Sequence, residues 1–152
     1  MTQIDSIEHT ISIPAPIERV WDAITQAEQM LEWFGTRVEV DFREGGMLVF
    51  GWDDDVNIGR IETIRKPHEF VYRWRSYTSD ISTPIDDLPS TVVRFTLEET
   101  EDGTQLTMQE TGFAALPPEL YKTSMASNSS GWTVELKELE DYLLKRLGQS
   151  QE

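Results

Sequence analysis

The sequence predicts an α+β fold in which a curved antiparallel sheet wraps a long C-terminal helix and leaves an apolar pocket between them. Strand-like segments follow one another over residues 38–111, and the clearest helical pattern comes last, over residues 130–147. Strands that cluster ahead of a single helix favour an α+β arrangement over alternating parallel βαβ units. Two short helices are predicted between the first strand and the rest of the sheet.

The N-terminal elements follow from apolar periodicity. Ile7, Ile11 and Ile13 alternate with polar residues, which is the pattern of a half-buried strand. Pro16 suits the first position of a helix, where a missing N–H costs nothing. The helical face that follows consists of Ile17, Val20, Trp21 and Ile24. Thr25 and Glu28 have the spacing of a capping box, so a second short helix is predicted to begin there and to end near Gly35.

The middle of the chain predicts a run of strands. A turn at Glu44-Gly45-Gly46 and an acidic loop at Asp53–Asp55 separate the earlier strands, and an irregular loop is expected over residues 78–90. The Asp102-Gly103 pair between alternating runs is a strong hairpin signal. The predicted strands span residues 7–13, 38–42, 47–52, 58–65, 70–77, 92–98 and 105–111, which gives a sheet of six or seven strands.

The C-terminal helix is predicted over residues 130–147, with Gly148 marking its end. Before it we expect a Pro-Pro turn, one helical turn near residues 119–124, and a linker at residues 128–130. Glu135 is expected off the apolar stripe. The stripe itself consists of Trp132, Leu136, Leu139, Leu143 and Leu147.

Composition limits the classes of function. The 152 residues suit a single domain, expected to span 1–152, and carry a formal net charge of -15 with no cysteine. Such an acidic chain disfavours binding to nucleic acid and to anionic membranes. The N-terminus lacks the pattern of a signal peptide, and no apolar run approaches the ~20 residues of a membrane helix. We therefore expect a cytoplasmic protein, as a monomer or a homodimer.

Glu110 is the strongest polar candidate. Strand alternation places Leu106, Met108 and Glu110 on one face, which the two apolar residues predict to point inward. A carboxylate on an apolar face would have a raised pKa and could serve as an acid, a base or a hydrogen-bond partner of a ligand. The alternatives are a register slip at the strand end and an ion pair with a nearby arginine.

Aromatic side chains repeat on predicted inward faces and could line a pocket for a flat or long apolar ligand. Tyr72 would add a hydroxyl that orients the ligand. For each aromatic residue taken alone, ordinary core packing is the alternative. The candidate ligand-binding residues are Trp33, Phe34, Phe50, Trp52, Tyr72, Trp74, Phe95, Met108, Glu110 and Trp132.

A basic cluster on the predicted hairpin at residues 58–77 is the third candidate. If residues 62 and 73 face each other, Glu62 pairs with Arg73, and Arg60 lies opposite Arg75. Such a cluster could hold an anion or an acidic partner. The alternative is a solvated sheet face. Its basic members are Arg60, Arg65, Lys66, Arg73 and Arg75.

Catalytic, metal and cofactor sites are not predicted. The two histidines, His9 and His68, fall on the first strand and in a turn, and no serine lies in a nucleophile elbow. Asp53–Asp55 lacks the spacing of a calcium loop and is expected to be a solvated turn.

Motifs along nearly the whole chain resemble one known family. They are ISIPAPIERVWDAIT, WFG, the Gly45-Gly46 turn, GRIETIRKPHEFVYRW, TVVRFTLEE, DGTQLTMQETGF and GWTVELKELEDYLL. In this order they resemble the START-like superfamily of birch-pollen-allergen or SRPBCC type, and are most similar to homologues of the activator of the 90-kDa heat-shock protein ATPase. The resemblance implies a helix-grip fold forming one START-like domain, with a cavity that in many members binds lipids, polyketides or other apolar molecules.

The leading functional hypothesis is binding of a small hydrophobic or aromatic molecule in this cavity. One alternative is a co-chaperone-like module that binds a chaperone and stimulates its ATPase, although we do not expect a chain of this length to hold the additional N-terminal domain of the eukaryotic activators. The other is an enzyme that acts on a hydrophobic substrate through Glu110. We expect no cofactor.

Overall fold

The structure is a seven-stranded antiparallel sheet with one long helix and two short ones. The computed structural model describes residues 6–150, and the side chains of residues 6–146. The elements are β1 (Ser6–Ile13), α1 (Ile17–Thr25), α2 (Ala27–Met30), β2 (Arg37–Val40), β3 (Met47–Trp52), β4 (Asp55–Arg65), β5 (Glu69–Trp74), β6 (Thr91–Thr100), β7 (Gly103–Thr111) and α3 (Pro118–Ser150). The strand order is β1-β7-β6-β5-β4-β3-β2. The predicted fold class is confirmed.

The β6–β7 hairpin is formed where the Asp-Gly pair predicts it. Thr100 pairs with Gly103 across the turn. Gly103 has φ 153°, and a Cβ at this position would lie 2.2 Å from the carbonyl oxygen of Ile13. Only glycine allows the turn to approach the end of β1 this closely. The hairpin therefore fixes β7 against β1, and Glu110 pairs with Ile7 on one side and Val93 on the other.

The two short helices follow β1 as predicted, but the capping box is wrong. Thr25 is the last residue of α1, and its hydroxyl donates a 2.7 Å hydrogen bond to the carbonyl oxygen of Trp21. A threonine that bonds back to its own helix is unavailable to cap the next one. The second helix is also shorter than expected and ends at Met30, so Trp33 and Phe34 lie in the turn before Gly35.

The predicted register of the hairpin that carries the basic cluster is wrong, because a bulge in β4 shifts the pairing with β5. Arg60 lies opposite Arg73, and the register shifts between Ile61 and Thr63. The Glu62–Arg73 ion pair is nevertheless formed, at 2.9 Å, because the bulge at Glu62 brings the two side chains together. Arg75 is only 1 % exposed, so it does not belong to a solvated face.

The C-terminal helix begins at Pro118, about three turns earlier than predicted, and it continues through Gly148 to Ser150. The predicted linker at residues 128–130 therefore lies inside α3. Leu136, Leu139 and Leu143 are buried against the sheet as predicted. The side chain of Leu147, the last residue of the predicted stripe, lies outside the described part. No helix in residues 6–150 is long and apolar enough to cross a membrane.

Candidate ligand-binding pocket

A pocket of about 410 Å³ opens between α3 and one end of the sheet. The β3–β4 turn and the end of β5 form one side, and the middle of α3 forms the other. The segment that follows β5 closes the rim. The lining residues are Phe34, Trp52, Asp55, Asn57, Trp74, Ser76, Tyr77, Thr78, Ser79, Ser127, Asn128, Gly131, Trp132 and Glu135.

Four aromatic rings, each in contact with at least two of the others, form the apolar wall. The ring centroid of Phe34 lies 5.1 Å from that of Trp52 and 5.4 Å from that of Trp132. Trp74 lies 5.9 Å from Trp132, again between centroids. Gly35, at φ 77°, lets the chain turn directly after Phe34, where a Cβ would come within 2.5 Å of a backbone oxygen of Gly51. The glycine therefore allows Phe34 to pack against the β3 end of the wall.

Glu110 lies fully buried behind this wall. The indole N–H groups of Trp74 and Trp132 donate to its carboxylate at 2.9 and 2.8 Å. The Thr91 hydroxyl donates at 2.5 Å and the Asn128 amide at 3.0 Å. Burial raises the pKa of Glu110, and the four donors act in the opposite direction. The predicted inward orientation is confirmed, and the alternative of an arginine partner is wrong because two tryptophans, a threonine and an asparagine take that place.

Glu135 is the second carboxylate of the site and lines the pocket from α3. Its Oε2 atom is buried and has no hydrogen-bond partner among the described residues. Burial raises the pKa of Glu135 to about 7, and repulsion from Glu138 adds to the increase. The nearby Trp52 side chain acts in the opposite direction and lowers the pKa of Glu135. Glu135 was expected off the apolar stripe; the structure places it at the edge of the stripe, facing the pocket.

The rim segment that follows β5 is held by hydrogen bonds from two side chains to its backbone carbonyl groups. The Asn57 amide donates to the carbonyl oxygens of Arg75 and Thr78, at 3.0 and 2.9 Å. Arg75 in turn donates to the carbonyl oxygens of Asp80 and Thr83. Hydrogen bonds from Ser82 and Thr83 hold the pKa of the Asp80 carboxyl at about 2. These bonds give the loop at residues 76–83 a defined shape beside the pocket.

The structure brings some of the predicted site residues together and separates others. Phe34, Trp52, Trp74 and Trp132 line the pocket, and Glu110 contacts the last two. The remaining candidates lie in the core away from the pocket lining; they are Trp33, Phe50, Tyr72, Phe95 and Met108. The hydroxyl of Tyr72 is buried without a hydrogen-bond partner among the described residues.

Only the four aromatic residues of the apolar wall were predicted from the sequence, and the other lining residues were missed. Three of the missed residues, Asn128, Gly131 and Glu135, recur at i, i+3 and i+7 on α3, in phase with Trp132. That spacing is a usable signal once residues 118–130 are recognised as helix. Asn57 gives no comparable signal, because its role is to bind loop carbonyl groups that are distant in sequence.

Another cleft, of about 520 Å³, lies beside α1 and α2. It is larger and more open than the pocket, and its large apolar residues are Trp21, Val40 and Phe42. Within the described part of the chain, no group of three or more histidine, aspartate or glutamate side chains could hold a metal ion.

A curved antiparallel sheet that holds a long helix, with a pocket between the middle of the helix and one end of the sheet, defines a helix-grip protein of the START-like class. The family model for activator of Hsp90 ATPase homolog 1-like proteins matches residues 14–144, and the chain belongs to that family. No curated protein matches the sequence.

Three solved structures with the same fold are distant from this chain in sequence. The protein MLL2253 from Mesorhizobium loti is 23% identical with a TM-score of 0.77, and the match covers 92% of this chain and 97% of that one. The Aha1 dimer from Colwellia psychrerythraea is 18% identical with a TM-score of 0.75, covering 92% and 96%. CalU16 from Micromonospora echinospora is 22% identical with a TM-score of 0.64, covering 95% and 80%. At these identities the likeness shows the fold alone.

Proposed function

We propose that this protein binds a small, largely apolar or aromatic molecule in the pocket between α3 and the sheet. The observation that carries the proposal is the wall of four aromatic rings facing a space of about 410 Å³. Pockets of ~300–1,000 Å³, mostly apolar with a few polar groups, are typical of small-molecule sites. Here the polar groups are carboxylates, amides and hydroxyls at the rim, which would orient the ligand.

The direct test is binding of a neutral fluorescent dye, N-phenyl-1-naphthylamine, together with native mass spectrometry of the purified protein. Saturable dye binding at one site per chain is expected, and a co-purifying small molecule would strengthen the result. A protein that takes up no dye and carries no bound molecule would contradict the proposal.

A pocket-filling variant tests the location. Gly131 lines the pocket on α3, and a Cβ at this position would have no heavy atom within 4 Å. Gly131→Phe should therefore place a ring in the pocket without disturbing the core and abolish dye binding. Gly131→Ala is the matched control and should bind the dye nearly as the parent does. Equal binding by both variants would place the dye elsewhere.

Family membership favours a second candidate, the binding of a chaperone and stimulation of its ATPase. The test is an ATPase assay with a chaperone of the 90-kDa class and increasing amounts of this protein, alongside a pull-down. Stimulation that persists in Gly131→Phe would assign the activity to the protein surface. Neither binding nor stimulation would exclude this candidate.

The enzymatic alternative through Glu110 has weaker support. Four donors already occupy its two oxygens, and it does not line the pocket. This geometry favours a role in positioning the tryptophans.

A further inference from the structure

The charges at the pocket are of one sign. Asp55 and Glu135 belong to the lining, and Glu110 lies behind Trp74 and Trp132. Among the described residues that line the pocket, none is lysine, arginine or histidine. A ligand with a negative group would therefore meet carboxylates and no opposite charge.

Two of the three indole donors at the pocket are already engaged. The Trp74 and Trp132 N–H groups donate to Glu110 at 2.9 and 2.8 Å. These two indoles therefore present ring faces rather than N–H groups to a ligand. Because each of them donates to a carboxylate, its ring gains electron density, which strengthens attraction to a cation over the face.

The amide donors of the pocket are engaged too. The Asn57 side chain binds two backbone carbonyl oxygens, and the Asn128 side chain binds Glu110 and Ser76. The Tyr77 hydroxyl donates to the carbonyl oxygen of Pro89 at 2.7 Å. By contrast, the Glu135 Oε2 acceptor is buried without a partner among the described residues. Glu135 therefore offers a ligand a buried hydrogen-bond acceptor.

One cation lies near the pocket without facing it. Arg75 follows Trp74 directly after the end of β5, and its side chain is buried. There it is covered by the loop and donates to the carbonyl oxygens of Asp80 and Thr83. It is not part of the lining and does not offset the pocket carboxylates by direct contact.

We propose that the pocket selects positively charged ligands, in which an ammonium group is attached to an aromatic or apolar body. The proposal rests on the proposed binding function and specifies its ligand class. The body would pack against Phe34 and the tryptophans, and the positive group would lie between the ring faces and Glu135.

The test uses three probes of nearly the same shape and different charge: phenyltrimethylammonium, tert-butylbenzene and benzenesulfonate. Each is measured at pH 8 by displacement of N-phenyl-1-naphthylamine. The cation should bind about tenfold more tightly than the neutral probe, the preference that one or two cation–π contacts supply. The sulfonate should bind least. Hydrophobicity alone would favour tert-butylbenzene, so it cannot produce this order.

Two charge variants test whether Glu135 produces the preference for the cation. Glu135→Gln should reduce the affinity for phenyltrimethylammonium several-fold and leave tert-butylbenzene binding unchanged. Glu101→Gln removes the same charge from the exposed β6–β7 turn, at the far end of β6 from the pocket, and should change neither affinity. If the two variants weaken cation binding equally, the preference comes from the net charge of the chain and the inference is wrong.

The two proposals fail in different ways. Equal or reversed affinities for the cation and the neutral probe, or no displacement by any probe, would overturn the charge inference while dye binding still supported the pocket. Absence of dye binding would overturn the binding function itself.

Discussion

At the scale of single residues, Glu110 connects the sheet to the long helix. Its partners come from β5, β6 and α3, so one carboxylate joins three elements behind the pocket. All four partners donate and none accepts, which suits an ionised carboxylate even though burial raises its pKa. Strand alternation predicts the inward direction of Glu110, but the partners could not be predicted, because two of them come from a helix whose placement is a tertiary matter.

Glu110→Gln tests this connection. The amide group cannot accept from all four donors, so at least one would be left buried and unpaired, and we expect a loss of about 2–4 kcal/mol in the free energy of unfolding. Urea denaturation at pH 7 measures it. Glu98→Gln, an exposed position on β6, is the control and should change stability by less than about 0.5 kcal/mol. Equal effects would show that the network contributes nothing specific.

Glu135 makes stability depend on pH in a defined direction. Its pKa is about 7 in the folded protein against an ordinary value of 4.5, so the unfolded chain loses this proton first as the pH rises. The contribution of Glu135 to stability is therefore fully present below about pH 4.5 and is lost as the pH rises to about 7. Because the side chain is only half buried, solvent screening reduces the loss to about 1 kcal/mol.

The measurement is the difference in unfolding free energy between the parent and Glu135→Gln across pH 4–8. Other titrating groups cancel in that difference, so the variant should gain relative to the parent as the pH rises. A difference that stays constant with pH would mean that Glu135 titrates normally in the folded state.

At the scale of elements, the start of α3 shows where periodicity fails as a guide. Ser124 is buried and Asn128 faces Glu110, so polar residues stand at inward positions where an ordinary helix would carry apolar ones. They interrupt the apolar positions of this segment, of which Leu120, Tyr121 and Met125 are partly buried against the core. The sequence therefore predicts only a single turn there. After Gly131, leucines at helical spacing continue along the helix and make it predictable.

Gly131→Ala tests the helical state of the pocket segment. Glycine within a helix is less favourable than alanine by roughly 0.5–1 kcal/mol, and the new methyl group meets no atom within 4 Å, so the variant should be more stable by about that amount. Thermal and urea unfolding both report it. Gly59→Ala on β4 is the contrasting control, because its Cβ would lie 2.7 Å from the carbonyl oxygen of Arg73 and should destabilise the sheet.

At the scale of the whole molecule, the order of elements is sufficient to predict the architecture, since every strand from β1 to β7 pairs antiparallel with its neighbours. The inward faces of the strands follow from alternation. The pocket at the open end of the sheet does not follow from alternation, because its shape depends on where α3 begins and on how the loop after β5 folds. That is why Phe50, Tyr72 and Phe95, which have the same sequence pattern as Trp52 and Trp74, lie in the core instead of the pocket lining.

The net charge and the pocket act in the same direction. A chain with a formal charge of -15 attracts cations from a distance, and the pocket carboxylates continue that attraction at short range. The two effects differ in their dependence on salt, because added ions screen the long-range attraction far more than contacts inside the pocket.

The wall of the pocket also gives the protein a built-in optical signal. Of its five tryptophans, Trp52, Trp74 and Trp132 line the pocket, and Trp74 lies 6.1 Å from Trp52 and 5.9 Å from Trp132 between ring centroids, close enough for excitation to pass between the indoles. Trp33, by contrast, is buried with its N–H bonded to the carbonyl oxygen of Ala23. Much of the intrinsic fluorescence therefore originates at one place, and a molecule entering there would change its intensity and colour without any attached label.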